Sequence, residues 1–181
     1  MDRREFFVTT AASAGALGSS RGSDKSTTNG AGGRRTEAVL TRAQTRLRVR
    51  DWGQGRAIVL LAGWGLPSDF WDALLVDVVA RGRRCVAYDR RGHGRSDEPG
   101  DGYDYDALAD DLAVVLDTLN LGEITIVGHS MAAGEIVRYE TRHGAGRIAH
   151  AVLVAPVTPG LARSSGNPNG VPLEMLAAAR Q

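Results

Sequence analysis

One serine in this 181-residue sequence is well placed for nucleophilic chemistry. Gly128-His129-Ser130-Met131-Ala132 lies between the apolar run EITIV and a segment with helical spacing. A serine on a sharp strand-to-helix turn exposes its hydroxyl, and the free N–H groups of a helix N-terminus favour negative charge. Small residues such as Gly128 and Ala132 let chain segments pass closely there. The pattern predicts Ser130 as a nucleophile; the alternative is a serine N-cap on an ordinary helix.

A second loop could complete the same site. Residues 62–67, Ala-Gly-Trp-Gly-Leu-Pro, follow the apolar run AIVLL. The backbone N–H groups of Trp64 and Met131 could together bind the oxyanion that forms during acyl transfer. Taken alone, the Gly-Trp-Gly loop predicts only a turn.

A serine nucleophile also needs a base, which is normally a histidine held by a carboxylate and following the serine in the chain. His143 lies at the far end of the predicted helix, about 20 Å from Ser130 at about 1.5 Å per residue. His150 falls within a predicted strand, where we expect it to be partly buried. We expect the His129 side chain to leave the turn in another direction and His93, between two glycines, to be structural. The sequence therefore contains no complete triad.

The elements that position these loops alternate between strands and helices. Polar and apolar residues alternate over residues 45–51, which predicts a half-exposed edge strand. Apolar runs predict buried strands at residues 57–62, 84–88, 123–127 and 148–154, and helical patterns occur at residues 67–82, 105–119 and 131–143. The first helix is expected to turn Phe70, Trp71, Leu74, Leu75, Val78 and Val79 inward. The alternation predicts an α/β fold, a mostly parallel sheet with helices on both faces, and ligand binding beyond the carboxyl ends of the strands.

Composition excludes several classes of protein. The chain is 43% hydrophobic and 24% charged, with 22 basic and 21 acidic residues. These proportions exclude collagen-like and disordered chains, and the near-neutral charge gives no basis for binding nucleic acid or anionic lipid. The single cysteine, Cys85, excludes an internal disulfide. Neither a metal site nor a cofactor site is expected.

The first residues resemble an export signal. Residues 1–20 contain Arg3-Arg4, then Phe6-Phe7 and a run of small residues, in the order of a twin-arginine signal peptide. The apolar run is too short to span a bilayer. Residues 21–36 are rich in Gly, Ser, Thr and Asn, which predicts a flexible linker. We therefore expect export by the twin-arginine machinery to the periplasm or the outside of a bacterial cell; the alternative is a disordered basic tail.

From residue 37 onward the sequence resembles the α/β-hydrolase fold family. The stretches LLAGWGLPSDFW, AYDRRGHGRSDEP and GHSMAAGEIVRYETRHG carry the resemblance, which is to the branch of cofactor-free (non-heme) haloperoxidases that also act as esterases and perhydrolases. The resemblance implies that Ser130 attacks a small-molecule ester or acyl substrate while the amides of Trp64 and Met131 form the oxyanion hole. Water or hydrogen peroxide would then take the acyl group.

The sequence departs from this family in three ways. Ala62-Gly63 replaces the usual His-Gly, and Ala132 replaces the usual glycine. The family's acid and base follow later strands, whereas the helix predicted from residue 172 has no C-cap and the strand at 148–154 would be left on the sheet edge. We therefore expect residues 37–160 to be the N-terminal part of a longer hydrolase domain and residues 161–181 to begin its cap. Such a chain would be inactive alone; the alternative is a non-catalytic remnant or binding module. Homo-oligomerisation of a full-length form stays open.

Overall fold

The computed structural model describes residues 37–144, 146–157, 162–168, 170–172 and 174–175. The signal peptide predicted for residues 1–20 and the linker predicted for residues 21–36 lie outside these ranges. In the region predicted to begin a cap, Glu174 and Met175 are helical and residues 176–181 lie outside the description. Within the described ranges, no helix combines the length and apolar character needed to cross a membrane.

The strands of the described residues form one sheet. They are β1 (Ala38–Leu40), β2 (Arg46–Trp52), β3 (Ala57–Leu61), β4 (Arg84–Tyr88), β5 (Ile124–His129) and β6 (Ile148–Val154), in the spatial order β1-β2-β4-β3-β5-β6. The first two strand pairs are antiparallel and the other three are parallel, which confirms the mostly parallel sheet. The prediction that residues 45–51 form an edge strand is wrong, because β1 pairs with the outer side of β2. Three residues are too few to show a periodic pattern in the sequence.

Helices cover both faces of the sheet, as the sequence predicts. They are α1 (Asp72–Ala80), α2 (Tyr105–Thr118) and α3 (Ala132–His143). Neighbouring residues of β3 point to opposite faces: Leu60 packs in the cluster that contains α1, whereas Val59 and Leu61 pack with α2 and α3. This strand alternation, typical of β-structure, gives the sheet two separate apolar layers.

The inner side of α1 is narrower than predicted. Trp71, Leu75 and Val78 are buried, but Phe70 is 47% exposed and Leu74 is 38% exposed. Residues Ser68–Trp71 form a 3₁₀ turn before α1 starts. Such a turn has three residues per turn rather than 3.6, so it rotates Phe70 away from the face that α1 buries. The sequence predicts one continuous helix here, and the inward position predicted for Phe70 and Leu74 is wrong.

Cys85 lies in the middle of the sheet and is fully buried. Burial raises the pKa of its thiol to about 11. Since the thiolate is the reactive form, we expect the folded chain to react negligibly with an aromatic disulfide reagent at about pH 8. One thiol per chain should react once the protein is unfolded in guanidinium chloride. Rapid labelling of the folded chain would show that β4 is accessible, contrary to this structure.

Candidate active site

A tight turn joins β5 to α3 and carries Ser130. The φ angle of Ser130 is +55°, in the left-handed region that a non-glycine residue adopts only at a cost. Its N–H donates to the carbonyl of Val154 at 2.9 Å, and its carbonyl accepts from Ala133 N–H at 3.2 Å. The end of β6 and the first turn of α3 therefore hold Ser130 in this conformation, at the carboxyl edge of the sheet.

Small residues on both sides of Ser130 allow α3 to turn back over β5. A Cβ atom added to Gly128 would lie 2.5 Å from Ile136 Cδ1 and 3.2 Å from Ala132 Cβ. Ala132 is itself fully buried and packs in the core, so the structure accommodates the methyl group that distinguishes it from glycine. Gly128 and Ala132 occupy the close approach that the sequence analysis assigned to them.

The loop of residues 62–67 lies directly against this turn. A Cβ atom on Gly63 would be only 3.3 Å from Ser130 Cβ. Met131 directly precedes α3, so its N–H is one of the free amides at the helix N-terminus. Among the described residues, neither the N–H of Trp64 nor that of Met131 donates a hydrogen bond. In the described structure both amides are therefore available as hydrogen-bond donors.

His129 packs against the loop of residues 62–67. Its ring stacks on Phe70 with the ring centroids 5.1 Å apart, and its Nδ1 atom would lie 2.8 Å from a Cβ atom on Gly63. This Nδ1 is buried without a hydrogen-bond partner in the described structure. Nothing in the sequence pattern indicated the contact with Phe70. His129 therefore supports the loop through its ring and forms no hydrogen bond with Ser130.

The segment that follows β4, residues 89–97, anchors the loops around Ser130. Asp89 is 2% exposed; its Oδ1 accepts from Ser68 N–H at 2.5 Å and its Oδ2 accepts from Arg95 N–H at 2.9 Å. Gly94 has a φ of +55°, and a Cβ atom there would lie 2.3 Å from Asp89 Oδ2. The buried carboxylate thus fixes the start of the 3₁₀ turn that follows residues 62–67. The family resemblance marks this segment, but nothing in the sequence indicates a role for Asp89.

Two buried ion pairs tie the same segment to the helices. Arg90 pairs with Glu135 of α3, which also accepts a hydrogen bond from Tyr88 Oη at 2.6 Å. Burial and the neighbouring Glu135 carboxylate raise the pKa of Tyr88 well above its ordinary value. Arg91 pairs with Asp111 of α2 through two hydrogen bonds of 2.7 and 2.8 Å. The sequence held no signal that would match these arginines with their acidic partners.

His93 lies in the same segment and contacts the loop of residues 62–67. Its Nε2 accepts from Gly65 N–H at 3.0 Å, and its Nδ1 lies 2.9 Å from the carbonyl of Arg91. Because the backbone amide can only donate, Nε2 must be unprotonated and Nδ1 must carry the proton. These contacts agree with the structural role expected for His93.

The other two histidines are far from Ser130. His143 ends α3 and its Nε2 lies 2.8 Å from Asp110 Oδ1 of α2. His150 lies in β6 beside Thr125, near the start of β5, about 17 Å along the strand from Ser130 at about 3.3 Å per residue. It is exposed, so the expectation of partial burial is wrong: β6 has no neighbour on its outer side among the described residues. All four histidines are therefore placed, and Ser130 Oγ has no hydrogen-bond partner in the described structure.

A comparison with known protein families identifies the family to which these residues belong. Residues 56–179 match the model of the alpha/beta hydrolase fold, which is more than half of the chain. The chain belongs to the α/β-hydrolase family. Within the described part of this α/β-hydrolase, no group of three or more His, Cys, Asp or Glu side chains could hold a metal ion.

Curated relatives of this α/β-hydrolase are enzymes. It is 47% identical over 137 residues to a non-heme haloperoxidase of Rhodococcus erythropolis, an alignment that covers 76% of this chain and 50% of the relative. It is 40% identical over 139 residues to a bifunctional esterase/perhydrolase of Acinetobacter calcoaceticus, with the same two coverages. The chain spans about half the length of the curated relatives it matches.

Solved structures agree with the fold of this α/β-hydrolase. An esterase from Exiguobacterium antarcticum superposes with a TM-score of 0.77 at 28% identity, covering 80% of this chain and 54% of that one. A bromoperoxidase from Bacillus anthracis has a TM-score of 0.69 at 37% identity, covering 74% of this chain and 49% of that one. The predicted α/β-hydrolase fold is therefore confirmed.

Proposed function

We propose that this α/β-hydrolase transfers acyl groups with Ser130 as its nucleophile, hydrolysing small-molecule esters and passing the acyl group to peroxide where peroxide is present. The observation that carries the proposal is the turn itself. A non-glycine residue held at a φ of +55° two residues before a helix, beside two amides without an acceptor in the described structure, costs free energy, and such strain is concentrated at functional sites. The names of the relatives add the substrate class, esters, and the alternative acceptor, peroxide.

The proposed reaction has two steps. Ser130 Oγ loses its proton to a general base and bonds to the carbonyl carbon, and the carbonyl oxygen takes up negative charge that the N–H groups of Trp64 and Met131 stabilise. The oxyanion then collapses, the alcohol leaves with the proton from the base, and the acyl group stays on Ser130. Water releases it as the acid, and hydrogen peroxide would release it as a peracid, an oxidant able to convert a halide ion into hypohalous acid without a metal.

The described geometry leaves one role unfilled. A serine hydroxyl is a weak nucleophile unless a base removes its proton. His93 uses both ring nitrogens in other hydrogen bonds, His143 is bound to Asp110, and His150 is near the opposite end of the strands. His129 packs its Nδ1 against the loop at Gly63. The base of the proposed reaction is therefore not assigned to any of these four histidines.

A chimeric protein tests the proposal. Residues 37–157 would be fused to the C-terminal half of the Rhodococcus erythropolis haloperoxidase, the 47% identical relative, so that the relative supplies a base. We expect hydrolysis of an aryl acetate, and bromination of an acceptor only when acetate, peroxide and bromide are all present. The intact relative is the positive control. A folded chimera that hydrolyses no ester would contradict the proposal and favour a non-catalytic binding role.

Gly63 gives a test of the oxyanion hole within the same chimera. In Gly63→Ala the new methyl group would overlap His129 Nδ1 and press on Ser130 Cβ, which forces residues 62–67 away from the turn. Removing one oxyanion donor lowers kcat by about 10²–10³-fold, and we expect a loss of that size. Gly100→Ala is the matched control, since a Cβ atom there meets nothing within 4 Å. Equal kcat values for the two variants would show that the loop does not form the oxyanion hole.

We also propose that residues 1–20 direct export by the twin-arginine route. The support is the order of Arg3-Arg4, Phe6-Phe7 and the small-residue run. A reporter fused to residues 1–36 should reach the periplasm of a bacterial host, and replacing both arginines by lysine should retain it in the cytoplasm. Export that is unaffected by this double replacement would rule out the twin-arginine route.

A further inference from the structure

The hydrogen bond between His93 and Gly65 joins two loops that the proposed reaction treats separately. We propose that His93 is a positioning residue for the oxyanion hole, holding the turn at Trp64 and Gly65 in one state when its ring is neutral and releasing it when the ring gains a second proton. The role in the oxyanion hole rests on the proposed function. The contact between the two loops is a feature of the structure itself.

A turn like the one that carries Trp64 can adopt two conformations, of which the structure shows one. Leu66 N–H donates to the carbonyl of Gly63 at 3.3 Å, so Trp64 and Gly65 are the central residues of a β-turn. The common turn types differ mainly in a rotation of the central peptide, which carries Gly65 N–H. Glycine tolerates either sign of φ, so Gly65, at +72°, does not by itself prevent that rotation.

The contact with His93 selects one of these states. Gly65 N–H points at His93 Nε2 at 3.0 Å and would lose this acceptor if the central peptide rotated. The rotation would also change ψ of Trp64 and turn its carbonyl to the other side of the loop that carries the proposed oxyanion donor. His93 itself is held from the other side, where Nδ1–H donates to the carbonyl of Arg91.

A second proton on the ring would remove the acceptor. Nε2–H would then face Gly65 N–H, and two donors cannot form a hydrogen bond with each other. Histidine is the residue type whose charge changes between about pH 5 and 8. The contact with Arg91 survives this change, because Nδ1 carries a proton in both states. Protonation therefore releases the turn while His93 stays anchored to its own segment.

The charged groups around His93 have partners of their own. On its own segment, Asp89 accepts from the amides of Ser68 and Arg95, and the Arg91 side chain pairs with Asp111. On the facing 3₁₀ turn, Asp69 pairs with Arg50, and its Oδ2 lies 3.4 Å from Arg95 Nη2.

The loop of residues 62–67 has no titratable side chain, and the histidine packed beneath it is His129. The remaining charged groups of the segment are Arg90, paired with Glu135, and Asp97, whose carboxylate accepts from Arg46 N–H.

Amide hydrogen exchange in the full ¹⁵N-labelled chain, followed by NMR, tests the proposal without requiring catalysis. The neutral ring should carry its proton on Nδ1. When the pH is lowered from about 8 to about 5, the range in which histidine gains its second proton, the protection factor of Gly65 N–H should fall about fivefold, as expected for the loss of one ordinary hydrogen bond. The Trp64 amide shift should change over the same pH range. Ser68 N–H, bound to Asp89, is the internal control and should keep its protection.

Two variants separate positioning from simple packing. His93→Gln keeps an acceptor but cannot gain a proton, so Gly65 should stay protected at every pH. His93→Phe keeps a ring without an acceptor, so Gly65 should exchange about fivefold faster at every pH. The proposal is overturned if the protection of Gly65 N–H changes neither with pH nor in His93→Phe. It is also overturned if Ser68 N–H loses protection together with Gly65 N–H. Loss of ester hydrolysis in the chimera would refute the proposed function and leave this result unaffected.

Discussion

Replacing Glu135 with glutamine is expected to destabilise the chain by about 3–5 kcal/mol, the usual consequence of removing one partner from a buried ion pair. Glu135 is 0% exposed and Arg90 is 3% exposed, so solvent cannot compensate the guanidinium that the substitution leaves behind. Although burial lowers the pKa of Arg90, the Glu135 carboxylate raises it above its ordinary value, so the arginine stays charged. Its Nη2 already lacks a partner in the described structure.

Urea denaturation followed by circular dichroism measures this effect. The matched control is Asp77→Asn, which breaks an exposed ion pair with Arg81 on α1 and should leave the midpoint close to that of the parent. A double variant, Arg90→Met with Glu135→Leu, removes both charges and should recover most of the lost stability, less about 1 kcal/mol for the unsatisfied Tyr88 hydroxyl. A loss below about 1 kcal/mol in Glu135→Gln would contradict the assignment of this pair.

Replacing Ser130 with alanine is expected to have the largest effect on activity. In the chimera that contains a base, loss of the nucleophile should lower kcat by a factor on the order of 10⁶. Alanine keeps Cβ and therefore the contacts of the turn, so the hydrogen bonds from Ser130 N–H to Val154 and from Ala133 N–H to the residue 130 carbonyl should remain. The melting temperature should stay near that of the parent.

The control for this variant replaces a neighbouring serine. Ser68 is buried beside the same loop, and its Oγ has no partner in the described structure, so Ser68→Ala removes a hydroxyl without removing a hydrogen bond. We expect Ser68→Ala to keep kcat within a few-fold of the parent. Ester hydrolysis that survives Ser130→Ala would place the nucleophile elsewhere and would overturn the proposed mechanism.

The sequence predicted most of the elements because their signals are local. The strands at residues 84–88 and 148–154 have the predicted bounds, since apolar runs mark parallel strands. The burial predicted for residues 148–154 is wrong: Ile148 is the one buried residue of that strand, because β6 lies at the edge of the described sheet. The strand β1 was missed and the edge assignment of residues 45–51 was wrong, because pairing between distant segments leaves no periodic trace. The burial predicted for Phe70 was wrong for a related reason. Phe70 lies in a 3₁₀ turn, which changes the residue spacing without a distinct sequence signal.

The candidate site divides in the same way. Ser130, Gly128 and Ala132 could be singled out because a strand-to-helix turn puts its requirements within five adjacent residues. Other contacts join residues that are tens of positions apart in the chain: those of Asp89, those of His93 and the pair of Arg90 with Glu135. Composition and spacing held no information about these partners. The small-residue requirement at Gly63 depends on the packing of His129, which becomes visible only when the loop and the turn are brought together.

Covalent labelling identifies the nucleophile. A fluorophosphonate reacts with a serine that an adjacent base activates, and mass spectrometry of the digested chimera identifies the modified residue. We predict one phosphonylated residue, Ser130, and no labelling in the Ser130→Ala chimera or after denaturation. A folded chimera that hydrolyses the ester but carries the label on another residue, or no label, would contradict the assignment of Ser130 as the nucleophile.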